Sequence, residues 1–435
     1  MCRRISCLLL ACLVISGGVA AENPGGDTPQ SLDLAKAADL LRKACDGGSA
    51  EGCWTLGTMT ESGEGGLSAD PVKALALYKK ACDGGSASGC TSLGVMYENG
   101  SGGLAMDPAK AVVLFRQACN SGDGLGCNNL GIATLYGQGG LSAEPAKAVE
   151  LFRKACAKLG RGCFNLGILY EQGEGGLSAD PAKAMELYRK GCDGGVPASC
   201  FNLGMMYYDG EVGLHVDFAK AVEFFRKSCE QGFALGCNNL GSAYEYGQGL
   251  SADLRRAAEL YRSACDGGEA LGCLNLGSMY QAGDGGLPAD PAKAVDLFRQ
   301  ACGGGAAGGC YNLGVLYWIG GEGLAVDRTK AVEFLRKACD DGVATGCYNL
   351  GIAYRDGEGG LSVDPEKAVG LFRMACDGGA ADACFNLGVA HENGETGLAV
   401  DPAKAAEFYD KACKGGYQSG CDAFKNLSSR GRPKR

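Results

Sequence analysis

Cysteine is the residue type whose spacing here points most directly to chemistry. The chain has 435 residues and 25 cysteines. Twenty-two of them fall in eleven pairs: Cys45 with Cys53, Cys82 with Cys90, Cys119 with Cys127, Cys156 with Cys163, Cys192 with Cys200, Cys229 with Cys237, Cys265 with Cys273, Cys302 with Cys310, Cys339 with Cys347, Cys376 with Cys384, and Cys413 with Cys421. Paired thiols serve three chemistries: disulfide bonding, metal ligation, and nucleophilic attack assisted by histidine. The two histidines, His215 and His391, are too few for repeated Cys-His dyads or for most hydrolytic metal sites. Tetrathiolate zinc needs two close C-x₂₋₄-C knuckles, and none is present beyond residue 21. A tight turn between partners brings the end of one helix and the start of the next within disulfide reach, so eleven local bridges are expected. No metal or cofactor is called for.

The elements that must position these pairs follow from the period. The first cysteine of each pair recurs every 36 or 37 residues with the surrounding text, so internal repetition sets the architecture. In the unit from Cys163 to Cys200, Cys163 to Tyr170 is apolar at helical spacing and Gly173 to Gly176 is a turn. Asp180-Pro181 supplies an N-cap and a proline at the first helical position. A helix from Ala182 to Cys192 then stops at Asp193-Gly194-Gly195. Calling the helix that ends at a first cysteine B and the one that opens near a second cysteine A, the chain reads as eleven of each. Helices of this length are unstable alone, so each must bury its apolar face on its neighbours. Gly167, Gly204 and Gly314, in mid-helix, are expected to let the neighbouring backbone come close. The fold class predicted is all-α: a right-handed α-solenoid of about eleven disulfide-stapled helix pairs.

The domain plan has four parts. Residues 1–21 read as a secretory signal, with Arg3 and Arg4, an apolar run from Ile5 to Ile15, and small residues Val19-Ala20-Ala21 for cleavage. A lipoprotein reading through Leu9-Leu10-Ala11-Cys12 is the weaker alternative. Residues 22–31 form a linker, 32–429 the solenoid, and 430–435 a basic tail. No other stretch is apolar for long enough to span a bilayer. Export to a secreted or periplasmic location suits the cysteines. A formal charge of −9 argues against nucleic acid and anionic membrane surfaces as partners.

The run Leu166-Gly167-Ile168-Leu169-Tyr170-Glu171-Gln172-Gly173, followed by an aspartate before a helix carrying Lys-Ala twice, resembles the Sel1-like repeat, a relative of the tetratricopeptide repeat. With cysteines eight apart, the chain is similar to the cysteine-rich Sel1-like proteins first described from Helicobacter. That resemblance covers residues 33 to about 427. It implies a secreted or periplasmic protein that scaffolds protein contacts, or one that binds β-lactam or peptidoglycan-like ligands and hydrolyses penicillins slowly. Thr60, Thr134 and His391 depart from it at the tyrosine position, as does the shortened turn Gly247-Gln248-Gly249-Leu250.

For the hydrolase implication, no Ser-x-x-Lys, Ser-Asp-Asn or Lys-Thr-Gly occurs, so no catalytic residue is assigned. The glycine clusters follow helices, lack a preceding strand, and read as turns, not phosphate loops. His215 and His391 read as surface or packing residues. Lysine and glutamate on the B helices, such as Lys147 with Glu150, read as solvated helix-face pairs.

The remaining signal is a stripe on the A helices, one, five and eight residues after each second cysteine. It carries Phe164 and Ile168; Phe201, Met205 and Tyr208; Tyr311, Val315 and Trp318; Tyr348 and Arg355; and Phe385. Identities vary along this face while the opposite face repeats, as a recognition surface would. Inter-repeat core is the competing reading. The function expected is an exported, non-catalytic scaffold that binds a protein or peptide on its concave face, in the cell envelope or outside the cell; weak β-lactam hydrolysis is the alternative.

Overall fold

A computed structural model describes residues 29–430, except 212–214, 321–323 and 396–397. The expected signal segment, with Cys12, and the tail beyond residue 430 lie outside the described residues. The described residues form 22 α-helices, and the chain divides after Gln231 into two units. The first unit holds α1 (Pro29–Asp46), α2 (Ala50–Ser62), α3 (Pro71–Asp83), α4 (Ala87–Asn99), α5 (Pro108–Asn120), α6 (Gly124–Tyr136), α7 (Pro145–Cys156), α8 (Gly160–Gln172), α9 (Pro181–Asp193), α10 (Pro197–Asp209) and α11 (Phe218–Glu230). The second holds α12 (Ala234–Tyr246), α13 (Leu254–Asp266), α14 (Ala270–Ala282), α15 (Pro291–Gly303), α16 (Ala307–Ile319), α17 (Arg328–Asp340), α18 (Ala344–Asp356), α19 (Pro365–Asp377), α20 (Ala381–Asn393), α21 (Pro402–Lys414) and α22 (Gln418–Arg430). Odd-numbered helices are the B helices and even-numbered ones the A helices. Each unit is a stack of these pairs, an all-α repeat solenoid. Helix α1 opens at Pro29, inside the stretch read as linker.

Local chemistry explains the punctuation. The Asp180 carboxylate accepts from the Lys183 backbone N–H at 3.0 Å, and Asp70, Asp107, Asp217, Asp290, Asp327 and Asp364 repeat the arrangement. Those hydrogen bonds hold the Asp70, Asp180 and Asp327 carboxyls below the usual carboxylate range. Each capping carboxylate also meets the lysine ammonium three residues on, as in Asp217 with Lys220 at 3.1 Å. Lys147 follows this rule and pairs with Glu144 at its own N-cap, 2.5 Å away, instead of Glu150, whose partner is Arg153. The even helices close on a left-handed glycine such as Gly173 (φ 71°). After most odd helices the left-handed residue is a glycine two positions past the helix, as in Gly195 (φ 75°), while Gly194 stays near the helical region.

All 22 paired cysteines are disulfide-bonded, Cys229 and Cys237 included. In the first unit Cys45 bonds with Cys53, Cys82 with Cys90, Cys119 with Cys127, Cys156 with Cys163, and Cys192 with Cys200. In the second, Cys265 bonds with Cys273, Cys302 with Cys310, Cys339 with Cys347, Cys376 with Cys384, and Cys413 with Cys421. Each of these ten bridges joins the end of an odd helix to the first turn of the next even one, the local pairing expected from the spacing. In the chain-entropy view a loop of this size stabilises by about 2–3 kcal/mol when unstrained. The hairpin is tight enough that a Cβ added at Gly89 would lie 2.6 Å from the Ala81 Cβ. Where serine replaces that glycine, at Ser199, the facing alanine has become Gly191, so the pair keeps its combined size.

The mid-helix glycines make room for a side chain as well as for the neighbouring backbone, which lies 3.3 Å (Ala221 O) and 3.2 Å (Leu335 N) from where a Cβ on Gly204 and Gly314 would be. A Cβ on Gly167 would lie 2.8 Å from the Tyr188 ring, one on Gly204 2.7 Å from Phe225, and one on Gly314 2.7 Å from Leu335. In each case the large side chain comes from the following odd helix and is buried. This insertion, repeated pair after pair, forms the core of each unit.

Candidate partner-binding face

Two structural junctions account for much of what repeats on the even helices. The first is the tyrosine of the Leu-Gly-x-x-Tyr run. Its hydroxyl accepts from an arginine on the preceding odd helix: Arg189 to Tyr207 and Arg336 to Tyr354, both at 2.9 Å, and Arg153 to Tyr170 at 3.2 Å. The N-cap lysine lies over the ring, as Lys220 does over Tyr207 at 5.1 Å, a cation–π contact. His391 replaces that tyrosine. It is buried, stacks on Phe408 at 5.5 Å, and both ring nitrogens lack a partner; burial holds its pKa below the ordinary 6.5. His215 is exposed.

The second junction was not read from the sequence. The stripe position eight residues after the second cysteine faces a large side chain of the following odd helix. Where that side chain is tyrosine, its hydroxyl donates to a glutamate: Tyr78 to Glu61 and Tyr409 to Glu392 at 2.7 Å, Tyr261 to Glu245 at 2.5 Å, and Tyr188 to Glu171. Burial first, and the carboxylate second, push the Tyr78 and Tyr261 phenols well above their usual range. Where phenylalanine or leucine stands instead, the stripe position varies: Glu98, Leu135, Tyr208, Gln281, Trp318, Arg355. Glu98 faces Phe115, one of its carboxyl oxygens is buried without a partner, and burial raises its pKa. Reading each stripe residue against the one about 17 positions later would have shown the correlation.

The stripe residues themselves divide by unit. In the first, Phe164 is 2% exposed, Phe201 0%, and Ile168 and Met205 are buried as well. Phe164 packs on Tyr188 and Phe201 on Phe225, with ring centroids 6.0 and 5.9 Å apart. Helices α8 and α10 are buried over most of their circumference, so these four side chains are enclosed and present no surface. Tyr208 is half-buried between Phe218 and Phe225.

In the second unit Tyr311, Val315, Trp318, Tyr348, Ile352 and Phe385 are half-buried. Five of these six, all but Val315, rest with one side on the core of that unit. Val315, Trp318, Ile319, Leu335, Asn349 and Ile352 line an open, mostly apolar cavity of about 190 Å³. Arg328 lies over the Trp318 ring at 5.0 Å. The Tyr348 hydroxyl accepts from Asn386 at 3.2 Å. Arg355 is exposed but already engaged, its fork donating twice to Asp356 at 2.8 Å. Ile319, missed in the sequence, is 63% exposed. Its signal is an apolar residue nine positions after the second cysteine, where Asp209, Asp356 and Asn393 stand in other repeats.

Among the described residues no group of three or more His, Cys, Asp and Glu side chains is arranged to hold a metal ion. No described helix is long and apolar enough to cross a membrane.

The profile of the Sel1 repeat matches the chain eleven times, over residues 18–49, 50–86, 87–123, 124–158, 160–196, 197–233, 234–269, 270–305, 307–343, 344–379 and 381–417. The chain belongs to the Sel1 repeat family. Among solved structures, a protective antigen of uropathogenic Escherichia coli with an SLR fold is 26% identical, covers 90% of this chain and 90% of its own, and has a TM-score of 0.54. A Sel1 repeat protein from Oxalobacter formigenes is 25% identical over 59% of this chain and 98% of its own, with a TM-score of 0.51. No curated protein matches the chain. From residue 50 on, each matched Sel1 repeat is one even helix and the odd helix after it, so the disulfides tie one repeat to the next. Neither the likenesses nor the geometry lends support to β-lactam hydrolysis.

Proposed function

We propose that this Sel1 repeat protein is an exported scaffold that binds a protein or peptide segment on the even-helix face of its second unit, without turnover. The observation that carries the reading is the open cavity of about 190 Å³ bounded by Trp318, Val315, Ile319 and Ile352. An aromatic ring held on the core at one side and open at the other is suited to anchor a partner's apolar side chain, because little rotamer freedom remains to be lost. Export is supported by the disulfides, which persist in an oxidising extracellular or periplasmic compartment, and by the signal-like first 21 residues. Phe164, Ile168, Phe201 and Met205 of the first unit take no part, since their side chains are enclosed.

Site-directed photo-cross-linking in the producing cell tests this. A photoreactive phenylalanine at position 319 is expected to give a discrete adduct to one partner. The same group at Met374, exposed on α19, is the control and is expected to give none. Equal adducts at both positions, or none at 319, would overturn the reading.

A further inference from the structure

A second cavity lies where α13 meets the turn after α14. Arg255 is an exception among the repeats: the equivalent position is alanine in seven of the others and Val72, Thr329 and Glu366 in the rest. Its side chain lies along the glycine turn, so that a Cβ on Gly286 would be 3.4 Å from its Nε; the same space beside Gly103, Gly140 and Gly176 is open. Two helical turns on, Arg262 donates to the Tyr280 hydroxyl at 3.2 Å. Arg255, Arg262, Glu259 and the Gly285-Gly286-Leu287 turn line one open cavity of about 290 Å³.

Neither guanidinium group at that cavity is neutralised by an ion pair among the described residues. Arg153 pairs with Glu150 and Arg299 with Asp296, the acid three residues earlier in each case. Arg262 forms no such pair with Glu259, and Arg255 has no ion-pair partner among the described residues. Arg256, next along α13, is occupied by Asp253 and the Tyr244 hydroxyl. Two guanidinium groups against one carboxylate leave the cavity with a net positive charge. Its glycines hold φ of 66° and 74°, and the hydrogen bonds of the turn use the N–H groups of Gly283, Asp284 and Leu287, not those of Gly285 and Gly286. Planar guanidinium forks beside backbone N–H groups match the oxygens of a carboxylate or a phosphate.

We propose that Arg255 and Arg262, with the Gly285-Gly286 turn, form a binding site for a small oxyanion, either the carboxylate of an acidic peptide or a phosphoryl group. The site is independent of the apolar cavity and of what binds there.

Calorimetric titration of the full exported chain at low ionic strength tests it, with inorganic phosphate in one arm and a tetraglutamate peptide in the other. One saturable site is expected in at least one arm; binding in the phosphate arm alone identifies a phosphoryl ligand, and binding in the peptide arm alone a carboxylate. Arg255→Ala is expected to weaken that binding about tenfold or more, the scale of a lost charge-assisted hydrogen bond, and Arg262→Ala likewise. Arg255→Lys, which keeps the charge and loses the fork, is expected to fall between Arg255→Ala and the parent. Arg299→Ala, which removes the equivalent of Arg262 from the next repeat, is expected to leave binding unchanged. Circular dichroism of each variant is expected to be that of the parent, since Arg255 and Arg262 are exposed. Saturation in neither arm, or an Arg299→Ala effect as large as that of Arg255→Ala, would overturn the proposal.

Discussion

Helices α8 and α10 of the first unit and α16 and α18 of the second carry the same pattern, an aromatic residue directly after the second cysteine and an aliphatic or Met residue four positions later, yet the two pairs differ in burial. Phe164, Ile168, Phe201 and Met205 are sealed, whereas Tyr311, Val315, Tyr348 and Ile352 stay half open. The ring contacts with the following odd helix are similar in both, 5.9 Å for Phe201 with Phe225 and 5.8 Å for Tyr348 with Phe372. What differs is closure on the other side. Variation in residue identity along a repeat face therefore does not by itself mark a recognition surface; exposure does.

The largest test of that contrast is truncation. Phe201→Ala removes a fully buried ring and is expected to cost about 3–5 kcal/mol, measured as a fall in the urea midpoint. Trp318→Ala, half-buried, is expected to cost about 1–2 kcal/mol, below the range for fully buried aromatics. Equal losses would erase the distinction between the two units.

A smaller effect is expected at Glu98. Phe115→Tyr supplies the hydroxyl that Tyr78, Tyr188, Tyr261 and Tyr409 give their glutamates, and should add about 1 kcal/mol, the usual value of one hydrogen bond. The pH dependence sharpens this. Because burial raises the folded pKa of Glu98 above 4.5, the folded state keeps the proton longer than the unfolded chain. Stability from this group is present below 4.5 and lost as pH rises through the folded value. Glu98→Gln is expected to abolish that decline, seen by comparing denaturation midpoints at pH 4 and pH 7. A variant that declines as the parent does would assign the loss elsewhere.

The smallest effect belongs to His391. Its folded pKa is lowered, so its contribution is present above 6.5 and lost as pH falls through 6.5 toward the folded value, where the unfolded chain takes up the proton first. His391→Tyr restores the ring that Arg336 meets at Tyr354 and is expected to remove this loss, measured as thermal midpoints between pH 7.5 and 5.5. A variant with the same acid-side slope would show that another group titrates.

The framework was legible because it is written in local chemistry. Paired cysteines at a near-fixed interval, an aspartate before most odd helices, six times followed by proline, and glycine after the even ones specify hairpins and their joints, and the observed helices begin and end at those signals. The size exchange between Gly191 and Ser199 was also open to reading, as were the tyrosine and glutamate pairs about 17 residues apart, once positions are compared between repeats. The burial of Phe164 and Phe201 was not. It depends on packing between repeats, which no residue pattern within a single repeat encodes. The ring that fills the space at Gly167 escaped notice for a related reason: Tyr188 comes from the next helix. Ile319 escaped notice because only the neighbouring Trp318 and Ile352 give an exposed isoleucine a purpose.

The central claim, that the even-helix face of the second unit is the recognition surface, is tested most directly by the double variant Tyr311→Ala/Trp318→Ala, assayed together for thermal midpoint and for affinity toward the partner cross-linked at position 319. The account predicts a modest drop in midpoint with helical circular dichroism retained, and a loss of affinity of about 2 kcal/mol or more, roughly thirtyfold, as for a buried aromatic anchor. A folded variant that binds as tightly as the parent would contradict it.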